Sequence, residues 1–274
     1  MTRELGCKFE IAPHFELPAD WQERLLIGAG VEECDGGFFP HGPWRSPDAG
    51  ELSQLVAGQP NSNTSDDKVE LFKLPAHLCA QWWQLLGRTG DASTEAGRLP
   101  GYDAFLAQIA DFLTFKSLAI NDPVSCDVVV TRPGQRSVRW DPAEGHPLGL
   151  GCTIPPQTPC TMLESQSSCR PRLWGAINLG DEATSFVLIA PPCRAMTKRL
   201  RRDFPDRASP ATLGALIEQF LRSCPDVSPV RVTLHPGEGL RLPGEAMLVD
   251  GFPHDKREPD VLLLITESRL SGPT

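Results

Sequence analysis

The chain has 274 residues and a formal net charge of −9 at neutral pH, and 40% of its residues are hydrophobic. These proportions are typical of a folded globular protein, for which we expect one large domain rather than two small ones. The acidic balance argues against a nucleic-acid partner, because phosphate binding needs a cationic face. No apolar run is long enough for a membrane helix, and no secretion signal is visible, so we expect a cytoplasmic protein without a membrane partner.

Little regular structure is expected in residues 1–70, which are rich in Gly, Pro and Asp, beyond a short helix at 19–26. Apolar residues then recur at helical spacing over 75–86 and 102–119, which predicts two amphipathic helices. The chain has nine cysteines, an odd number in a large protein without a visible secretion signal, which favours buried thiols over disulfides. Cys152, Cys160 and Cys169 leave a structural zinc site open.

After residue 122 the pattern changes to short apolar runs separated by turn residues, which is typical of a β-sandwich or jelly roll. A helical insertion is predicted at about 194–224, with Ser209 as a helix N-cap and Pro210 in the first helical position. The predicted strands are 127–131, 137–140, 173–179, 184–190, 230–234, 246–249 and 261–266, and a turn is predicted at 235–239.

Two segments resemble a known family. The segment 176–182, Ala-Ile-Asn-Leu-Gly-Asp-Glu, looks like a turn in a bacterial branch of the Fe(II)- and 2-oxoglutarate-dependent oxygenases, and 236–251 looks like the late barrel strands of that branch. The resemblance implies an α+β protein with a cupin-like double-stranded β-helix (jelly roll). It implies a single domain over 1–274, with an N-terminal loop and helical layer at 1–121 and a jelly-roll core at 122–274 that contains the helical insertion.

The resemblance also implies where an iron site would lie and that this site is altered. In that family a His-x-Asp pair and a later histidine hold Fe(II), since the ion takes two histidines and one carboxylate. At the matching positions this chain has Gly151, Thr153 and Val249. The resemblance therefore implies a relative in which the standard iron ligands are replaced.

A different set of ligands leaves a metal site open. His146, Glu144 and His254 have the right side-chain types and lie near the altered positions in sequence. They would form a rearranged metal site if their loops met at one end of the barrel. The competing interpretation is that they are surface residues in turns.

The family pairs the carboxylate of its oxoacid with an arginine on the last strand, because a guanidinium fork matches two carboxylate oxygens. Arg269 is the match by position, although a solvated strand end would also explain it, and Arg241 is the weaker candidate. Thr153 and Asn178 complete the predicted substrate-binding residues.

Three functions remain open. The first is a small-molecule-binding relative without the iron triad, which holds a carboxylate-bearing metabolite or acts without the standard iron chemistry. The second is an active dioxygenase-like oxidoreductase that uses Fe(II) and 2-oxoglutarate through the rearranged site to hydroxylate a small metabolite or an amino-acid-like substrate. The third is a partner-binding module whose protein partner contacts the basic helix at 194–207.

Overall fold

The computed structural model describes residues 8–11, 19–34, 37–56, 68–87, 99–115, 124–131, 151–152, 160, 173–189, 191–242, 247–252 and 257–267. These residues form a mixed α and β fold. The strands are β1 Lys8–Ile11, β2 Leu25–Ile27, β3 Gly30–Cys34, β4 Gly37–His41, β5 Lys68–Lys73, β6 Val124–Thr131, β7 Gly151–Cys152, β8 Leu173–Asn178, β9 Thr184–Ile189, β10 Pro229–Leu234, β11 Glu238–Arg241, β12 Leu248–Phe252 and β13 Asp260–Glu267.

The helices are α1 Ala49–Leu55, α2 Ala76–Gly87, α3 Tyr102–Phe115, α4 Cys193–Asp203 and α5 Leu213–Ser223, and a 3-10 helix covers Ala19–Arg24. None of the helices in the described part of the chain is long and apolar enough to cross a membrane.

Two sheets carry the fold. A six-stranded sheet has the order β1-β5-β11-β8-β13-β6, and a five-stranded sheet has the order β2-β10-β9-β12-β7. Strands β3 and β4 form a separate hairpin. In the six-stranded sheet β1 joins β5 in parallel, and the other neighbours are antiparallel.

The strands from β6 to β13 pair in a nested order. The first pairs with the last, β6 with β13, and the second with the seventh, β7 with β12. The third pairs with the sixth, β8 with β11, and the fourth with the fifth, β9 with β10. The chain crosses between the two sheets several times along this set, so each sheet is built from strands that are distant in sequence.

Side-chain alternation buries both faces of each sheet. On β9, Phe186 and Leu188 belong to the apolar cluster between the two sheets, while Val187 and Ile189 face the cluster formed with α4 and α5. The six-stranded sheet uses its outer face in the same way, packing against α2 and α3 through residues that include Leu263. Because successive strand residues point to opposite faces, continuous apolar runs such as that of β9 fit a sheet that is covered on both sides.

The helices predicted at 75–86 and 102–119 are confirmed as α2 and α3. Six of the seven predicted strands are confirmed with shifted ends, and the run at 137–140 lies outside the described residues. The expectation of little regular structure before residue 70 is wrong, since that part contains β1–β4, α1 and the start of β5. Short strands such as β2 are stabilised there by partners far along the chain, in this case β10.

Three local expectations also need correction. The segment expected to be a helix at 19–26 is a 3-10 helix followed by β2, because Leu25 pairs with Val232 in the sheet. The stretch around Glu238, expected to be a turn, begins strand β11. The insertion contains two helices, and the N-cap of α5 is Thr212 rather than Ser209.

Replacing Thr212 with alanine tests this N-cap. The hydroxyl of Thr212 accepts a hydrogen bond from the backbone N–H of Ala215 at 3.4 Å. Thr212→Ala is expected to lower the free energy of unfolding by about 0.5–1 kcal/mol, at the weak end for a cap. Ser209→Ala is the matched control and should change stability less in urea denaturation. A larger loss in the Ser209 variant would restore the sequence-based assignment.

Candidate functional site

The core between the sheets has two ends, which are bordered by different elements of the chain. We call the end with the turns at 179–183 and 235–237 the turn end. The opposite end, where β9 leads to α4 and α5 leads to β10, is the helix end. Strands β7, β11 and β13 run toward the helix end, because each is antiparallel to a neighbour that runs toward the turn end.

Polar contacts join the two sheets at the turn end. Asn178 on β8 is fully buried, and its side-chain amide donates to the carbonyl oxygen of Leu234 on β10 at 3.0 Å. The same amide donates to the carbonyl of Glu182 at 2.9 Å, and its oxygen accepts from the N–H of Gly180 at 2.9 Å. With three hydrogen bonds inside the protein, Asn178 connects the β8–β9 turn to the opposite sheet, and its predicted role in substrate binding stays a prediction.

A partly buried ion pair adds to this closure, and no sequence pattern pointed to it. Glu238 on β11 is 2% exposed and accepts hydrogen bonds from Arg24 Nη1 at 2.7 Å and from the backbone N–H of His235 at 2.8 Å. Burial lowers the pKa of Arg24, but the hydrogen bonds and charges of Glu238 and Asp20 together outweigh burial, so the pKa is raised overall. Arg24 therefore stays charged and links β11 to the 3-10 helix that precedes β2.

A third polar contact lies beside these two. The Thr184 hydroxyl on β9 donates to the carboxylate of Asp260 on β13 at 3.1 Å, and both residues are buried. Two of the three contacts join strands of opposite sheets, and the third joins β11 to the 3-10 helix that precedes β2. A buried polar group without a partner is costly, and these contacts pair the side chains of Asn178, Glu238 and Thr184, so they close the core at the turn end.

The positions that the resemblance equates with iron ligands meet near the other end. Gly151 on β7 lies opposite Val249 on β12, although the two are far apart in sequence. Val249 is fully buried in the apolar cluster between the sheets. Neither side chain can bind a metal ion, so this pair does not fit an iron site.

The other predicted metal ligands are not placed. His146, Glu144 and His254 lie outside the described residues, as do Thr153 and Arg269. Among the residues that are described, no group of three or more His, Cys, Asp or Glu side chains could hold a metal ion. Cys152 and Cys160 are within the described ranges, while Cys169 is not, so the zinc site also stays a prediction.

Arg241 is engaged inside the protein. It lies opposite Glu70 in the β11–β5 pair, and its Nε and Nη2 atoms each donate to a carboxylate oxygen of Glu70 at 2.8 Å. The two side chains are 7% and 3% exposed and lie on the outer face of the six-stranded sheet, since Leu240 and Leu71 face the core between the sheets. The fork that would bind a ligand carboxylate is therefore already bonded to Glu70.

The predicted basic helix is α4 and the segment that follows it. Its apolar face is buried through Cys193, Met196 and Leu200. Arg199 contacts Asp203 at 3.5 Å and Asp226 at 3.8 Å. The other basic residues that lie on the outer side and are exposed are Lys198, Arg201, Arg202 and Arg207.

No protein-family model and no curated protein matches the sequence. Among solved structures, the chain is similar to the apo structure of the Kdo hydroxylase KdoO, a non-heme Fe(II) alphaketoglutarate-dependent dioxygenase, with 13% identity and a TM-score of 0.41 over 73% of this chain and 79% of that one. The complex of that protein with alphaketoglutarate and Fe(III) gives 14% identity and a TM-score of 0.39 over 73% and 79%. Similarity at this level does not establish a family or an activity for the chain.

Removing Arg241 tests whether its contact with Glu70 is structural. Arg241→Ala is expected to lower the free energy of unfolding by about 3–5 kcal/mol, because it leaves a buried carboxylate without its partner. The matched control is Arg45→Ala, since the exposed pair of Arg45 with Glu51 should contribute about 0–1 kcal/mol. Chemical denaturation measures both. A loss below about 1 kcal/mol for Arg241→Ala would contradict the structural role.

Proposed function

We propose that the chain is a double-stranded β-helix (jelly-roll) protein that lacks the iron triad of the 2-oxoglutarate oxygenases and binds a small carboxylate-bearing metabolite at the helix end of its core. The observation that carries the proposal is the Gly151–Val249 pair, set in the nested pairing of β6 to β13. The jelly roll, the loss of the triad and the ligand each have separate support.

The nested pairing supports the jelly roll. An eight-stranded jelly roll is a long antiparallel hairpin wrapped into two facing sheets, so its first strand pairs with its eighth and its fourth with its fifth. Strands β6 to β13 pair in this order. The remaining strands, β1, β2 and β5, extend the edges of the two sheets.

The replaced ligands support a loss of the standard iron chemistry. The resemblance aligned Gly151 and Val249 with two iron ligands on sequence alone, and the two residues face each other across the β7–β12 pair. An iron site needs imidazole and carboxylate donors at such a point, whereas glycine has no side chain and valine has no donor atom. The side chain of Val249 is buried, so its methyl groups occupy the space beside the position that a metal ion would take.

The direction of the strands supports a ligand at the helix end. Thr153 directly follows β7 and Arg269 comes two residues after the end of β13, and both strands end at the helix end. The turn end is closed by Asn178, Glu238 and Asp260. With Arg241 bonded to Glu70, Arg269 is the arginine that we assign to the carboxylate of the ligand.

One observation favours the second candidate, an active oxygenase with a rearranged metal site. His146 lies five residues before Gly151, and His254 lies five residues after Val249. Since β7 and β12 are antiparallel, the segment before β7 and the segment after β12 adjoin the same end of this strand pair. One histidine belongs to each segment, and both are five residues from the Gly151–Val249 pair. Glu144 would supply the carboxylate of such a site.

Metal content separates the two candidates. Protein purified without a histidine tag is expected to hold far less than one iron per chain after incubation with Fe(II), and to leave 2-oxoglutarate unconsumed. Elemental analysis and an assay for succinate measure these outcomes. Stoichiometric iron with oxoacid turnover, lost in His146→Ala and His254→Ala but kept in the control His77→Ala on α2, would establish the rearranged site instead.

The role of Arg269 is tested by calorimetry with 2-oxoglutarate and succinate. Arg269→Ala is expected to weaken dicarboxylate binding by about 1.5–3 kcal/mol, the range for a hydrogen bond to a charged group. Arg269→Lys should recover only part of the affinity, because an ammonium lacks the fork. The control is Arg257→Ala at the exposed turn end. Equal affinity in the wild type and in Arg269→Ala would remove Arg269 from the site.

A further inference from the structure

The charge of the chain is unevenly distributed. Residues 193–212, which cover α4 and the segment before α5, contain six basic and two acidic residues, a net charge of +4 in a chain whose total is −9. The rest of the chain therefore carries −13. A cationic surface of this kind on an acidic protein creates a local positive potential that is screened over about 8–10 Å at physiological salt.

A pocket opens within this cationic segment. Its volume is about 160 Å³, which is below the roughly 300–1,000 Å³ of typical small-molecule sites, so it suits one side chain better than a cofactor. The apolar lining includes Leu200, Phe204 and Leu216, and Arg201 and Arg207 supply positive charge. The two guanidinium groups can bind an acidic side chain, and the apolar lining beside them can pack against a neighbouring apolar side chain.

Among the residues that the structure describes, Arg207 is held in place without an acidic partner. Its guanidinium lies over the ring of Phe204, 4.7 Å from the centroid, and Nη1 donates to the hydroxyl of Ser223. In the described part of the chain it forms no ion pair, in contrast to Arg199 and Arg202, which both pair with Asp203. Stacking on an aromatic ring orients a guanidinium and leaves its remaining N–H groups able to donate hydrogen bonds. The guanidinium of Arg207 is therefore oriented to bind an oxyanion.

The surrounding charge favours a short acidic partner over an extended polyanion. DNA or an anionic membrane would bring many negative charges against a chain that carries −13 outside this segment. A peptide segment with a few carboxylates contacts only the cationic region, and charges beyond a Debye length are screened.

We infer that the pocket between α4 and α5 is a docking site for an acidic peptide segment of a partner protein, in which a carboxylate binds Arg201 and Arg207 and an adjacent apolar side chain packs on Phe204. The site lies on the outer side of the five-stranded sheet and is separate from the proposed metabolite site in the core. The inference of a peptide site does not depend on whether the chain binds a metabolite.

The test uses the full chain and the end-blocked peptide acetyl-Glu-Glu-Phe-Glu-Glu-amide, with acetyl-Gln-Gln-Phe-Gln-Gln-amide as the neutral probe. Calorimetry should detect binding of the acidic peptide and not of the neutral one. Arg201→Gln and Arg207→Gln together should weaken binding at least about tenfold, since each removes a charge-assisted hydrogen bond. If Arg207→Gln affects folding, Arg201→Gln alone still tests the site, because it changes only an exposed side chain.

The matched control is Arg202→Gln, which removes one charge from the same helix outside the pocket lining and should change affinity less than about twofold. An equal loss in this control would overturn the pocket as the site, because it would show a diffuse effect of charge. Equal binding of the neutral peptide would overturn the carboxylate contact. Inorganic phosphate, a 20-base-pair duplex or phosphatidylserine vesicles that bind more tightly than the peptide through Arg201 and Arg207 would overturn the assignment of a peptide partner.

Discussion

The antiparallel pairing of β6 with β13 is the interaction on which the rest of the fold depends. It joins residues 124–131 to residues 260–267, the two ends of the nested set, through a long and regular register from Thr131–Asp260 to Val124–Glu267. Closing this pair makes β7 a neighbour of β12 and encloses the shorter pairs within it. Since side chains alternate along each strand, the same register decides which residues enter the core between the sheets and which face the helices.

Buried charge makes the register of the β5–β11 pair specific. Glu70 and Arg241 are directly opposite each other on one face of the six-stranded sheet, and a shift of one residue would turn one of them toward the apolar core. A shifted arrangement would leave a charge without a partner in an apolar environment, which costs far more than the pair contributes. The bond of Glu238 to Arg24 and that of Thr184 to Asp260 act in the same way between the sheets.

A fold alone does not decide a function, which depends on the residues at particular positions. Where a metal site would lie, Gly151 and Val249 supply no donor atoms. Polar contacts close the turn end, which leaves the helix end for a ligand. Met196 and Leu200 pack α4 against the outer face of the five-stranded sheet, so the cationic segment and the core between the sheets are separate regions of the chain.

The sequence by itself determined the elements whose pattern is local. The amphipathic spacing of α2 and α3 and the apolar runs of β8, β9, β10 and β13 depend only on neighbouring residues, and their positions were predicted within a few residues. It also indicated that positions 151 and 249 are related, through the resemblance of their flanking residues. Only the tertiary structure decided that β2 and β5 are strands, because each gains its hydrogen bonds from a partner more than a hundred residues away. The same reason explains why Arg241 was taken for a ligand-binding residue, since its charge is matched by Glu70, and no local pattern reveals a pairing that exists only when distant strands meet.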